Sequence, residues 1–240
     1  MNRLAALSVP LLAALLLGAC SSSAIQRKDG SSSVRSFSLR DLAKSDVDEV
    51  IEIHQQAALA SLKTLTLKLY RRNPGEWRKS GYASADDATE TLFKPLSHWH
   101  LSPQKDLDWQ ASLRDAWRED YMGDRVKALM DGLLVMHMAA FDHRTEFYLL
   151  SDVDAQKLYN AARNTEAVAW KLATARNARN EPLLLSNGTD GNGVINLSFE
   201  REFGKLIGNQ DTLARIVEDK SNRAIRFGVV NLTSMVFLPV

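Results

Sequence analysis

The sequence predicts a mainly α-helical domain, built like a helical bundle, with a small β element near residues 183–199. Apolar residues recur at helical spacing in several long segments. Three of those segments open with a Ser followed three residues later by an Asp, a pattern typical of helix N-termini. Because an apolar stripe on a long helix has to be buried, we expect these helices to pack against one another.

The longest predicted helix begins at Ser45 and ends before Asn73-Pro74-Gly75. Ser45 and Asp48 match a capping box, in which each residue bonds the backbone N–H of the other. The apolar positions between Val47 and Leu69 recur at helical spacing. At 1.5 Å per residue this helix would be about 40 Å long.

Shorter helices follow along the chain. Two prolines predict an irregular loop over residues 95–105, and Gly208 predicts a break between the last two helices. Ser151-Asp152-Val153-Asp154 repeats the letters of the first helix start and predicts a second start at Ser151. These predicted helices cover residues 84–94, 106–117, 124–141, 151–177, 200–207 and 210–226.

The β element is predicted where two β-prone segments, 183–186 and 194–199, flank a loop rich in Gly, Asn and Asp. Part of this loop resembles the middle of an EF-hand calcium loop, in which Asp190 and Asn192 would supply oxygen ligands. In that register, however, the first and last ligand positions are occupied by Gly188 and Phe199, which have no side-chain oxygen to bind calcium. A polar hairpin that uses its glycines for the turn remains the alternative.

Two histidines lie on the apolar stripes of their helices. His54 and His137 could therefore face each other inside a bundle and hold a metal ion. The sequence has no H-E-x-x-H pattern, however, and a lone histidine on an apolar face is usually a hydrogen-bonded core residue. Apart from a covalent lipid, no cofactor is predicted.

Four tryptophans fall within one stretch of the chain: Trp77, Trp99, Trp109 and Trp117. Tryptophan is common in protein cores and is also enriched in interaction surfaces, where its large ring contributes much of the binding energy. The cluster therefore has two interpretations, a partner-binding surface or packing at the boundary of the core.

The N-terminus, residues 1–19, is predicted to be an export signal. Arg3 supplies a positive charge, and Leu4 to Leu17 form an apolar run that is too short to span a bilayer. An ordinary secretory cleavage site would need a small residue where Leu17 stands.

Leu17-Gly18-Ala19-Cys20 resembles the lipobox of bacterial lipoproteins. The resemblance implies cleavage before Cys20 and acylation of its thiol and of the new amino terminus. Several acyl chains anchor a protein stably, whereas one chain does so only marginally. Ser21 is similar to the residue that directs such proteins to the outer membrane. Residues 20–38 are Ser-rich and predict a flexible tether, and residues 39–240 predict a single periplasmic domain.

Charge and cysteine content exclude several classes of function. Since Arg3 is the only charged residue before Cys20, cleavage would leave 29 basic and 29 acidic residues. This balance lacks the excess of basic residues that is typical of proteins that bind nucleic acid. Cys20 is the only cysteine in the sequence, so the domain has no disulfide and no thiolate for catalysis.

Together these observations predict an outer-membrane lipoprotein that acts as a non-enzymatic accessory or scaffold for an envelope protein or polymer. One alternative is a hydrolase of peptidoglycan or lipid whose site is assembled only in the fold. Ser102-Pro103-Gln104-Lys105 has the S-x-x-K spacing of penicillin-binding enzymes, but Lys79-Ser80-Gly81, which resembles their third motif, precedes it. A weaker alternative is a calcium- or metal-binding envelope protein.

Overall fold

Helix α1 spans Asp46–Arg72 and begins at the capping box that the sequence predicts. The Ser45 hydroxyl accepts a hydrogen bond from the Asp48 N–H at 3.3 Å, and the Ser45 N–H donates to the Asp48 carboxylate at 2.9 Å. Lys220, near the other end of the chain, donates to the same buried carboxylate at 3.2 Å. The start of α1 is therefore bonded both locally and to the C-terminal helix.

The computed structural model describes residues 45–148, 153–189 and 195–236, and of residues 189, 195 and 222–236 the backbone alone. Within these residues the fold is mainly α and bundle-like, with one small β element, as the sequence predicts. After α1 the elements are α2 Pro74–Lys79, α3 Ala85–Phe93, α4 Trp109–Trp117, α5 Arg125–Ala140, α6 Ala155–Thr174, β1 Gly188–Thr189, β2 Ile195–Asn196 and α7 Ser198–Val236.

Helix α5 lies at the centre of this bundle. All but two of its residues are buried, as expected for a helix that is apolar on every side. It contacts α1, α4 and α6, while α7 packs along α1 and α6. None of the helices in the described ranges combines the length and the apolar content needed to cross a membrane.

The β element is a two-stranded antiparallel ladder within residues 183–199. Gly188 pairs with Asn196, and Thr189 pairs with Ile195. The segment before β1 is fixed to the end of α1 by Asn73. Its side-chain amide donates to the Leu185 carbonyl at 2.9 Å and accepts from the Leu185 N–H at 2.7 Å. Asn73 thus ends α1 and also positions the ladder.

The predicted break at Gly208 is wrong, because α7 runs through this residue without interruption. A Cβ at Gly208 would meet no atom within 4 Å, so the residue lies on the helix surface. Leu206, Gln210 and Leu213 on either side of it are fully buried. Their packing outweighs the cost of about 1 kcal/mol that a glycine imposes on a helix interior.

Two other boundaries differ from the prediction. The helix predicted from Ser151 begins instead at Ala155, because the Asp154 carboxylate caps it by accepting the Gln156 N–H at 2.8 Å. The loop predicted over residues 95–105 contains two 3₁₀ helices, Lys94–Leu101 and Pro103–Asp106. Each has a proline in its first turn, where the missing N–H costs nothing.

Candidate functional site

A groove lies between α4 and α6, beside the buried helix α5 against which both pack. Its volume is about 620 Å³ and its lining is mainly apolar. The side chains that form its two walls include Trp109, Leu113 and Trp117 from α4 and Ala167, Val168 and Lys171 from α6.

The sequence of α4 explains why its apolar side chains share one wall. Trp109, Leu113 and Trp117 are four residues apart and therefore lie on the same face of the helix. Asp108 fixes the start of this helix, because its carboxylate accepts the N–H groups of residues 110 and 111 at 2.9 and 3.0 Å. The two indoles are half-buried, with part of each ring packed on the core.

Helix α4 approaches α5 very closely at Gly132. A Cβ at this position would lie 2.7 Å from Leu113 Cγ and 3.0 Å from the carbonyl oxygen of Trp109. Both distances are too short for a side chain, so glycine is required for the observed contact. Because Gly132 has no side chain, α4 can pack closely against α5 at this point.

Arg125 fixes the other end of α4. Its buried guanidinium donates hydrogen bonds to the carbonyl oxygens of residues 116, 118 and 119 at distances between 2.5 and 3.1 Å. These carbonyls belong to the last turn of α4 and the residues just after it, which have no helical donor of their own. The first residue of α5 thus holds the C-terminal end of the groove wall.

A second and more polar cavity continues the groove. It has a volume of about 380 Å³ and shares Trp109 and Asn164 with the first cavity, so the two form one groove. His143 and Lys157 line this second part. The lining positions of α6 recur every three or four residues from Lys157 to Lys171, a distance of about 21 Å along the helix.

His143 is held in one tautomer by Trp99. The indole N–H of Trp99 donates to His143 Nδ1 at 3.2 Å. Since that Nδ1 accepts a hydrogen bond, the neutral ring carries its proton on Nε2. Burial lowers the pKa of His143, which favours this neutral form. The ring can therefore donate from Nε2 but cannot accept a proton there.

Each wall of the groove carries an exposed cation. Arg114 on α4 lies 3.6 Å from Asp108, and both side chains are more than 60% exposed, at 65% and 62%. Lys171 on α6 forms no ion pair with any residue that the structure describes. Arg118, in contrast, is held by two neighbouring carboxylates at 3.1 and 2.9 Å. Among the cations that line the described groove, Lys171 therefore forms no ion pair, and Arg114 forms only an exposed one with Asp108.

The structure divides the four predicted tryptophans into two pairs. Trp109 and Trp117 line the groove. Trp99 is buried in the core with 1% of its surface exposed. Trp77 is half-buried outside the groove, with its ring centre 4.7 Å from the guanidinium of Arg78. Core packing thus accounts for Trp99, and the partner-binding interpretation stays a prediction for Trp109 and Trp117.

Trp170 was missed by the sequence prediction. It precedes Lys171 on α6 but lines neither part of the groove, and 69% of its surface is exposed. The apolar stripe of the predicted helix passes through residues 158, 162, 165, 169 and 172, and Trp170 falls outside it. A large apolar residue away from the buried stripe was the signal that could have identified it.

His54 and His137 bond to different partners. His54 Nδ1 lies 3.2 Å from the carbonyl oxygen of Asn209, whose amide donates back to the His54 carbonyl at 2.7 Å. His137 is buried, and its Nδ1 lies 2.7 Å from the carbonyl oxygen of Leu133 on its own helix. Across the described ranges, no group of three His, Cys, Asp or Glu side chains is placed to hold a metal ion.

Three predicted site residues fall outside the described residues. Cys20 precedes residue 45, and Asp190 and Asn192 lie between the two strands. Lipidation at Cys20 and calcium binding near Asp190 therefore stay predictions from the sequence.

The S-x-x-K spacing forms no catalytic pair. The Ser102 hydroxyl accepts the Gln104 N–H at 3.1 Å and caps a 3₁₀ helix, while Lys105 Nζ donates to the His100 carbonyl at 2.9 Å. No Ser, Thr or Cys among the described residues lines either part of the groove.

The chain matches no protein-family model, no curated protein and no solved structure. The class of ligand that the groove could bind is therefore inferred from its lining residues alone. Its larger part offers indole rings and aliphatic side chains, and its smaller part offers amide, imidazole and ammonium donors. Such an arrangement suits a ligand that buries apolar surface and keeps its polar groups at the edge.

Proposed function

We propose that the protein is an outer-membrane lipoprotein, held on the periplasmic side by lipid on Cys20, that serves as a non-enzymatic accessory or scaffold. In this proposal the groove between α4 and α6 binds another envelope component, a protein or a polymer. The observation that carries the binding role is a mainly apolar groove in which Trp109 and Trp117 stay half-buried. Uncovered apolar concavities with aromatic walls are typical of binding sites.

The anchor is supported by the lipobox and by the charge of the mature chain. With 29 basic and 29 acidic residues after cleavage, the protein has no net charge to hold it on an anionic membrane surface. Replacing Cys20→Ala should therefore move the protein from the membrane fraction to the soluble fraction, with an unchanged helical circular-dichroism spectrum. Retention of this variant in the membrane would overturn the anchor.

The binding role is tested by shortening one indole in the groove. With the full-length chain as bait, Trp117→Ala should weaken capture of a cross-linked envelope component by about tenfold or more, the usual effect of removing a central aromatic contact. Leu101→Ala is the matched control, because Leu101 is 72% exposed and does not line the groove. Equal capture by both variants would contradict the proposal. So would hydrolysis of peptidoglycan or phospholipid by the purified protein.

A further inference from the structure

The groove has the shape of a position that another helix could occupy. Helices α4 and α6 both pack on α5 but make few contacts with each other. Packed helices lie about 8–10 Å apart, so a gap between two such neighbours accommodates one more helix. The α6 face from Lys157 to Lys171 covers about four helical turns. The small side chain of Ala167 on the α6 wall lets a backbone approach that wall closely.

The apolar lining favours a helix over a glycan strand. Most of the surface in the larger part of the groove is apolar, and only Asp115 and Asn164 among its lining side chains offer acceptor oxygens. Many hydroxyls of a sugar that enters it would therefore lose water without gaining a partner. A helix has already paired its own backbone polar groups, and one apolar face can be buried without that cost.

The charges at the edge indicate which helix fits. Arg114 and Lys171 stand on opposite walls. Arg114 forms an exposed pair with Asp108 at 3.6 Å, and Lys171 forms no ion pair with a described residue. The lining of the larger part holds three cations, at Arg114, Arg118 and Lys171, and one carboxylate, at Asp115, so it is positive on balance. At the polar end, Lys157 already pairs with Asp142 at 2.6 Å. Carboxylates on both sides of an apolar stripe would therefore meet a cation on each wall. Exposed pairs of this kind add little affinity, but they select the partner and set its orientation.

We infer that the groove binds an acidic amphipathic helix of a partner protein. Its apolar stripe packs between Trp109 and Trp117, and its flanking carboxylates pair with Arg114 and Lys171. This inference rests on the proposed function, since it names the partner class of the same groove.

Two synthetic helical peptides of about 15 residues test the inference, a length that matches the groove. Both carry the same leucine stripe, and one has Glu and the other Lys at the flanking positions. Fluorescence anisotropy with the full-length chain at low salt should show about tenfold tighter binding of the Glu peptide. Trp117→Ala should abolish binding of that peptide.

Reversing the charges of the groove gives the decisive comparison. The double variant Arg114→Glu, Lys171→Glu should prefer the Lys peptide, and the control Lys94→Glu should keep the original preference, because Lys94 is exposed but does not line the groove. Equal binding of both peptides, no binding of either, or an unchanged preference in the double variant would overturn the inference.

Binding of soluble peptidoglycan fragments distinguishes failure of the helical partner from failure of the binding role of the groove. If the fragments bind, Trp117→Ala abolishes that binding and neither peptide binds, the groove keeps its binding role and the helical partner is wrong. If no probe binds and Trp117→Ala leaves partner capture unchanged, the proposed function fails as well.

Discussion

His137 should make the stability of the domain depend on pH. The ring is 1% exposed, its Nδ1 donates to the Leu133 carbonyl oxygen, and its Nε2 has no hydrogen-bond partner among the described residues. Protonation would place a charge and an unpaired N–H in the core. Burial accordingly lowers the pKa of His137 from 6.5 to about 4.

The direction and size of the effect follow from proton linkage. Between pH 6.5 and about 4 the unfolded chain binds a proton at His137 that the folded chain does not bind. The free energy of unfolding therefore decreases as the pH falls through this window. For these two pKa values the loss is about 2 kcal/mol between pH 7 and pH 5, and about 3 kcal/mol at pH 4.

Urea denaturation of wild type and His137→Leu at pH 7 and pH 5 measures this contribution. The variant should lose about 2 kcal/mol less than the wild type, since other titrating groups are common to both chains. Leucine has a similar size, and the Leu133 carbonyl keeps its helical hydrogen bond. His100→Leu, at an exposed histidine, should keep the wild-type difference. The same pH dependence in wild type and His137→Leu would refute this reasoning.

Changes at two glycines should have opposite effects in the same denaturation assay. Gly132→Ala should destabilise the fold by about 1–3 kcal/mol and weaken binding in the groove, because its Cβ would overlap the facing helix. Gly208→Ala should stabilise it by about 1 kcal/mol, and a loss instead would contradict a continuous α7. Arg125→Ala should cost about 3 kcal/mol, since three carbonyl oxygens lose a charged donor. If Asp190 and Asn192 bind calcium, Tm should be higher with calcium than with a chelator, and equal values would dismiss that site.

The helices were predictable because their signals are local. The capping box of Ser45 and Asp48 lies within four residues, and the apolar stripe of α1 repeats at each turn. The continuity of α7 at Gly208 was not predictable in this way. It depends on Leu206 and Leu213 packing against helices that are distant in the sequence.

The groove was only partly predictable from the sequence. The four-residue spacing of Trp109 and Trp117 indicates that the two indoles share one face of a helix. Whether that face is covered depends on how α4 crosses α5 at Gly132, and no local pattern encodes that contact. The hydrogen-bond partners of the two candidate metal-binding histidines were not predictable for a related reason. Helical spacing places His54 and His137 on apolar stripes, but Asn209 and Leu133 supply their hydrogen bonds.

If Cys20 anchors the chain as proposed, the ion pair between Asp48 and Lys220 has a mechanical consequence. Any pull between the membrane and a bound partner would enter the described fold at Ser45, the first turn of α1. Without a second attachment, such a load would unwind α1 from its end. Lys220 joins that turn to α7, which runs along both α1 and α6. Tension at Ser45 would therefore pass through Lys220 to α7 as well as along α1.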